Sequence, residues 1–270
     1  MRFYKVPGAA IAVMDRNQLE WARGYGVRDQ SSRLPVTADT PFQAGALGQP
    51  VAAAAALALV DKGRLELDGD LAPLIRRMKP ALPEAGAAGK VTLRGLLSQA
   101  RTFPDVSLPG YASDVRPPAL IDLLERGVPP EPPAAEVRTD GAGFALLETL
   151  LEAVTSEAFP TLMKESVLDP LGLRNSTFEA PLPEAMRTGA ASGHGRDGRL
   201  EAGRWLIYPA AAAAGFWSTP SDLAAFASDI LRAATGKGGK ILTAGLARAM
   251  LAPQSENRGL GFVIDGAGEA

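Results

Sequence analysis

The sequence predicts an α+β fold, with helices inserted between the parts of one antiparallel sheet. Three observations predict it. Two β-like runs open the chain at residues 9–14 and 19–27, a long helical middle follows, and residues 259–265 close it by alternating Leu260, Phe262 and Ile264. The chain reads as one domain of 270 residues, with residues 1–62 and about 205–270 on the sheet side and about 63–204 forming the helical part.

The opening runs are rich in Ile, Val, Trp and Tyr and are separated by the polar turn Asp15-Arg16-Asn17, a hairpin signal. Gly24 and Gly26 fall where a strand bends or is approached closely. A loop at residues 29–39 leads into Thr40-Pro41-Phe42, a short extended piece. Pro50 then opens a strong helix over residues 51–60, because a first-turn proline misses no backbone donor, and Gly63 stands at the stop. Residues 65–70 form a turn in which Asp68 and Asp70 are solvated or capping. Thr92 is placed to cap a short helix through Ser98. Residues 101–133 are dense in Pro and Gly around one amphipathic piece at 119–126, the pattern of an elaborated loop over the core. Amphipathic helices follow at residues 144–154 and 159–167, the second closed by Asp169-Pro170, then at 221–233 and 243–251.

Composition narrows the function classes. The formal charge is −2 without a basic stripe, which argues against a nucleic-acid partner. There is no Cys, so thiolate catalysis and thiolate metal sites are excluded, and a single His194 excludes a His–His metal pair. No run approaches the roughly 20 apolar residues of a membrane span. Residues 6–14 contain Pro7 and Gly8 and stop at Asp15, which suits a strand better than a secretory signal. The chain as written therefore reads as cytoplasmic, and as periplasmic or secreted if a leader preceded it.

Residues 42–63 read F-Q-A-G-A-L-G-Q-P-V-A-A-A-A-A-L-A-L-V-D-K-G and run into Leu65-Glu66-Leu67-Asp68. This resembles the nucleophile segment of the serine β-lactamase and penicillin-binding-protein superfamily, with class C β-lactamases and the esterase-like branch nearest in pattern. Four further stretches match in the family's order: Val6-Pro7-Gly8 with W-A-R-G-Y-G-V at 21–27, V-T-L-R-G-L-L-S at 91–98, D-P-L-G-L-R-N-S-T-F at 169–178, and G-F-W-S-T-P-S-D-L at 215–223. The resemblance implies a β-lactamase/transpeptidase-like fold with the sheet truncated at the C-terminus. It implies no cofactor and no metal.

In that family a Ser at a helix start forms an acyl-enzyme and a Lys one turn later takes its proton. The matching positions here are Ala46, which has no nucleophile, and Gln49, which is neutral and cannot act as a base near pH 7. The family's Tyr-x-Asn or Tyr-x-Gly motif falls on Thr139-Asp140-Gly141, so Thr139 replaces the phenol, while Gly141 keeps the esterase-like third residue. Thr139-Asp140 also reads as a helix-capping pair. The third motif, Lys/His-Thr/Ser/Gly-Gly, is expected a few residues beyond the segment at 259–270. No Ser is followed by Lys at the required spacing. Thr161 and Lys164 have that spacing but lie on a helix surface, and His194 reads as a loop turn residue without a placed Ser and Asp. Gly45, Asp140, Phe216 and Trp217, with Trp205 and Tyr208, either line a residual cleft or cover the core.

Three functions are consistent with these residues. The first is a non-hydrolytic pseudoenzyme that binds a small acyl or peptide-like ligand in the residual cleft. The second is a hydrolase or acyltransferase with non-standard residues, using Asp140 or His194. The third is an interaction module or decayed fragment that self-associates as a homo-oligomer through an unpaired sheet edge.

Overall fold

A computed structural model describes residues 1, 3, 5–78, 90–99, 109–126, 141–195, 197–255 and 257–264. The chain opens with an antiparallel hairpin of β1 (Gly8–Asp15) and β2 (Gln18–Gly26), paired from Gly8 opposite Gly26 to Asp15 opposite Gln18 with a one-residue register shift between Val13 and Met14. Its two-residue turn, Arg16-Asn17, has both φ angles positive (47° and 64°), the backbone twist that matches paired strands. β3 (Phe42–Gly45) runs directly into α1 (Gly48–Asp61).

α1 is the centre of the core. Nearly every residue from Gly48 to Leu59 is buried, so the helix is enclosed on all sides instead of presenting one apolar stripe. Its alanines let neighbours come close. It ends where the N–H of Lys62 donates to the Ala58 carbonyl and Gly63 turns left-handed at φ +67°. Asp61 at its end ties down a distant segment by accepting from the N–H (2.9 Å) and hydroxyl (2.8 Å) of Thr243.

The helical middle comprises α2 (Ala72–Met78), α3 (Leu93–Leu97), α4 (Leu120–Arg126) and α5 (Gly141–Thr155), with the short strand β4 (Tyr111–Ala112) before α4. Asp70 accepts from Ala72 N–H at 3.0 Å and Thr92 from Gly95 N–H at 3.1 Å, so each caps the helix that follows it. Asp68 instead pairs with both Nε and Nη2 of Arg94, each at 2.7 Å. Next come α6 (Phe159–Met163), a π-helical turn (Lys164–Leu168) and α7 (Asp169–Leu171). The helix expected at 159–167 thus runs on through Asp169-Pro170. Pro170 has no N–H to give, and the wider π turn before it accommodates that; Gly172, at φ +70°, ends the helix.

The last third holds α8 (Glu184–Arg187), β5 (Leu206–Ile207), α9 (Ala211–Ala214), β6 (Phe216–Ser218), α10 (Pro220–Ala234) and α11 (Ala244–Leu251). Thr219 caps α10 by accepting from Asp222 N–H at 3.3 Å. α10 packs on the β1–β2 hairpin and against α11, while α1 packs against α9, α6 and the π turn.

Two sequence expectations are corrected. Among the described residues the strands form three separate antiparallel pairs, β1–β2, β3–β6 and β4–β5, not one sheet. Residues 259–264 contain no strand, only an isolated bridge between Arg258 and Val263. Two backbone bonds of this segment go to helices, Leu260 N–H to the Met250 carbonyl (3.0 Å) and Gly261 N–H to the Leu97 carbonyl (2.8 Å), while Gly259 and Ile264 donate locally to the Phe262 and Asn257 carbonyls. Gly261 also sits at φ +85° against α1, a conformation foreign to a strand.

The α1 start depends on one close approach. A Cβ on Gly48 would stand 2.5 Å from Phe216 Cβ and 3.0 Å from Phe178 Cε1. Gly245, on the exposed side of α11, would meet nothing within 4 Å. Urea unfolding should therefore separate two Gly→Ala changes in helices. Gly48→Ala should lose about 1–3 kcal/mol through overpacking, and Gly245→Ala should gain up to about 1 kcal/mol from helix propensity.

Candidate active site

The site is built at the junction of β3 and α1. β3 pairs with β6 in the order Phe42–Ser218, Gln43–Trp217, Gly45–Phe216, which leaves Ala44 without an opposite residue. This bulge, with Gly45 at φ +58°, swings the chain out of the strand and into the helix. Nothing lies within 4 Å of a Cβ added to Gly45, so the backbone angle and not space calls for glycine there. Ala46 and Leu47 follow on the surface, Leu47 with 58% of its area exposed. Position 46 therefore presents a methyl group to solvent at the mouth of a buried helix.

Gln49, one turn further, points inward and is 8% exposed. Its Nε2 donates to the Ala213 carbonyl at 3.3 Å, and its Oε1 accepts from Gln99 Nε2 at 3.1 Å. Both ends of the amide are thus engaged, as a buried polar group requires. Gln99 holds a left-handed backbone at φ 52°, and its own Oε1 is buried without a hydrogen-bond partner among the described residues. An amide pair, with no charge and no basic nitrogen, fills the position of the expected base.

The same alanine turn serves a second buried group. Glu148, on α5, is 7% exposed, and its Oε2 accepts from Ala212 N–H at 2.8 Å. Burial pushes its carboxyl up to about 8; the Ala212 and Ala211 N–H groups oppose that rise, and the nearby Glu152 charge adds to it. Sequence reading passes over Glu148. The available signal is its spacing: it lies one turn after buried Phe144 on the apolar stripe of α5. Gln99 carries no such signal, because its partner is 50 residues away.

The remaining candidates fall into three groups. Gly141 is the first residue of α5 and is buried; Thr139 and Asp140 lie outside the described residues. Phe216 and Trp217 are placed in the core and not on a cleft wall. Phe216 stacks on Phe178 at 4.5 Å between ring centroids, and Trp217 meets Trp205 edge-on at 5.3 Å, because β6 is paired with β3 and covered by the 177–182 segment. Tyr208 lines a cavity together with Glu148. His194 Nδ1 donates to the Ser192 carbonyl at 3.0 Å, and its Nε2 is buried without a partner among the described residues. Lys164 pairs with Asp169 at 2.6 Å on the surface, and Thr161 is exposed beside it. Among the described residues no helix is long and apolar enough to cross a membrane.

The family model described as Beta-lactamase matches residues 1–268. Among curated proteins, the chain is similar to Penicillin-binding protein 4 of Amycolatopsis lactamdurans, at 29% identity over 71% of this chain and 49% of that protein. It is also similar to Esterase EstB of Burkholderia gladioli, at 25% identity over 68% of this chain and 50% of that protein. The chain thus spans about half the length of these relatives. Among solved structures it resembles EstCE1, described as a hydrolase with promiscuous acyltransferase activity, with a TM-score of 0.72 at 20% identity over 96% of this chain and 78% of that one. It also resembles an octameric penicillin-binding protein homologue from Pyrococcus abyssi, with a TM-score of 0.67 at 22% identity over 97% of this chain and 61% of that one.

Glu148 gives a pH signature of known sign. Its folded-state pKa of about 8 lies above the ordinary 4.5, so between those values the folded state binds more protons than the unfolded one. Stability from this group is full below about pH 4.5 and falls as pH rises, by about 1.4 kcal/mol per unit, until about pH 8. Glu148→Gln keeps the acceptor for Ala212 N–H and should flatten that slope. Urea unfolding of both proteins at pH 5 and pH 9 checks this.

Proposed function

The chain belongs to the Beta-lactamase family, a family of serine hydrolases, and from that premise we propose that it binds a ligand of the family's kind without hydrolysing it. The observation that carries this reading is the pair of residues at the start of α1. Ala46 offers no oxygen to attack a carbonyl. Gln49 has both ends of its amide held, by Ala213 and Gln99, and an amide does not take up a proton near neutrality. Thr139, in place of the family's phenol, has a short hydroxyl far less acidic than a tyrosine. The scaffold that presents these positions, from the β3–β6 bulge to the enclosed helix, is retained. A small acyl or peptide-like molecule is the ligand this reading favours, since relatives carry the names of a penicillin-binding protein and an esterase.

A second reading concerns assembly. β1 has one strand partner among the described residues, its Ile11 is 45% exposed, and a structural neighbour is described as octameric. Pairing of β1 edges between copies would then give a homo-oligomer. A monodisperse monomer at high concentration in sedimentation velocity would contradict that second reading.

For the first reading, the protein should turn over p-nitrophenyl acetate no faster than its Ala46→Gly variant. Turnover clearly above that control would overturn the non-hydrolytic assignment.

A further inference from the structure

A cavity of about 400 Å³ lies between the segment preceding α4, Glu148 of α5 and the stretch from Ile207 to Ala211. Pro117, Pro118, Pro160, Pro181 and Tyr208 form much of its wall, and Glu148 is its one carboxylate among the described residues. Ala46, Gln49 and Gly141 are not on that wall. Such a largely apolar lining with a few polar groups, here Glu148, Tyr208 and Arg116, is the usual make-up of a small-molecule site.

The carboxyl at this wall is met by backbone donors and, among the described residues, by no paired cation. Ala212 N–H donates to Oε2 at 2.8 Å, and Ala211 N–H also favours the ionised form. Backbone donors stabilise an acceptor, not an acid's O–H. Among the described residues Glu148 takes part in no salt bridge, and the one cation on the cavity wall, Arg116, has an exposed side chain and is screened by water. A buried carboxylate with donors but no cation is expensive to ionise, which agrees with its raised pKa of about 8. A cation arriving in the cavity removes that cost.

We propose that this cavity is a binding site for a small primary amine, whose ammonium pairs with the Glu148 carboxylate while its alkyl body lies against the prolines and Tyr208. The site does not depend on whether the chain hydrolyses anything. Binding carries a proton balance: where Glu148 is protonated in the free protein, the carboxyl releases its proton to solvent as the ammonium arrives. Tyr208 and Arg116 also face the cavity, and Glu152 acts on Glu148 from its own helix. In the range used below Tyr208 stays neutral, because burial raises its pKa.

The test is isothermal titration of the full chain with n-hexylamine hydrochloride, with 1-hexanol as the neutral counterpart, from pH 6 to 9 in two buffers of different ionisation enthalpy. The expected affinity for hexylamine rises by about tenfold per pH unit below pH 8 and levels above it. Proton release should be near one per amine at pH 6 and about half at pH 8. Hexanol should bind more weakly and without pH dependence. Ala119→Trp, at an exposed position on the cavity wall, should weaken hexylamine at least tenfold, and so should Glu148→Gln. If Glu148→Gln fails to fold, the proton release by the unmodified chain and the Ala119→Trp variant decide the matter. No binding of hexylamine, a pH-independent affinity, or equal affinity for hexanol would each overturn the proposal.

Discussion

Enclosure of α1 on every side is the constraint from which the rest of the structure follows. A helix with alanine at residues 52–56 and again at 58 has little side-chain bulk, so its neighbours approach its backbone closely all round. α9, α6, the π turn and Gly261 all lie against it. The same closeness makes Gly48 obligatory against Phe216 and Phe178. It also brings Gly261, in the last described segment, directly against α1.

A polar residue on such a helix has no water to turn to, and this decides the character of position 49. The neutral amide of Gln49 closes on one carbonyl and one amide, so no ion is buried. A lysine there would bury a charge, and neither the Ala213 carbonyl nor the Gln99 amide supplies an anion to balance it. Ala46, by contrast, stands outside the enclosure, where a methyl group costs nothing. Residue 46 can change without touching the core, while residue 49 is woven into it. Across the α9 turn, Glu148 shows the opposite case: a group that can ionise, held by N–H donors in a buried place. One four-residue turn thus meets two polar side chains, with its carbonyl end toward Gln49 and its N–H end toward Glu148.

What the sequence disclosed was what local chemistry decides. The hairpin, α1, α5, α10 and α11, and the cap at Thr92 rest on periodicity, turn residues and a hydroxyl within four positions. The alternation at 259–265 was a local signal too, but a strand needs a partner, and Gly261 takes the segment to α1 instead. The short helices α2, α8 and α9 are under two turns or close to it and leave little periodic trace. At the site, residues 46 and 49 can be singled out along the chain because family motifs are read in sequence order. The contacts of Gln49 with Gln99 and Ala213, and of Glu148 with Ala212, span 50, 164 and 64 residues, and nothing local encodes them. The core placement of Phe216 and Trp217 is of the same kind, since it depends on the pairing of β6 with β3.

The central claim is that position 46 cannot form an acyl-enzyme and that the chain has not moved the reaction to another side chain. Intact-mass spectrometry of the protein after prolonged incubation with a fluorescent penicillin tests it most directly, because a covalent adduct is seen whichever residue carries it. The account predicts an unchanged mass. A stoichiometric increase by the mass of one penicillin would contradict it.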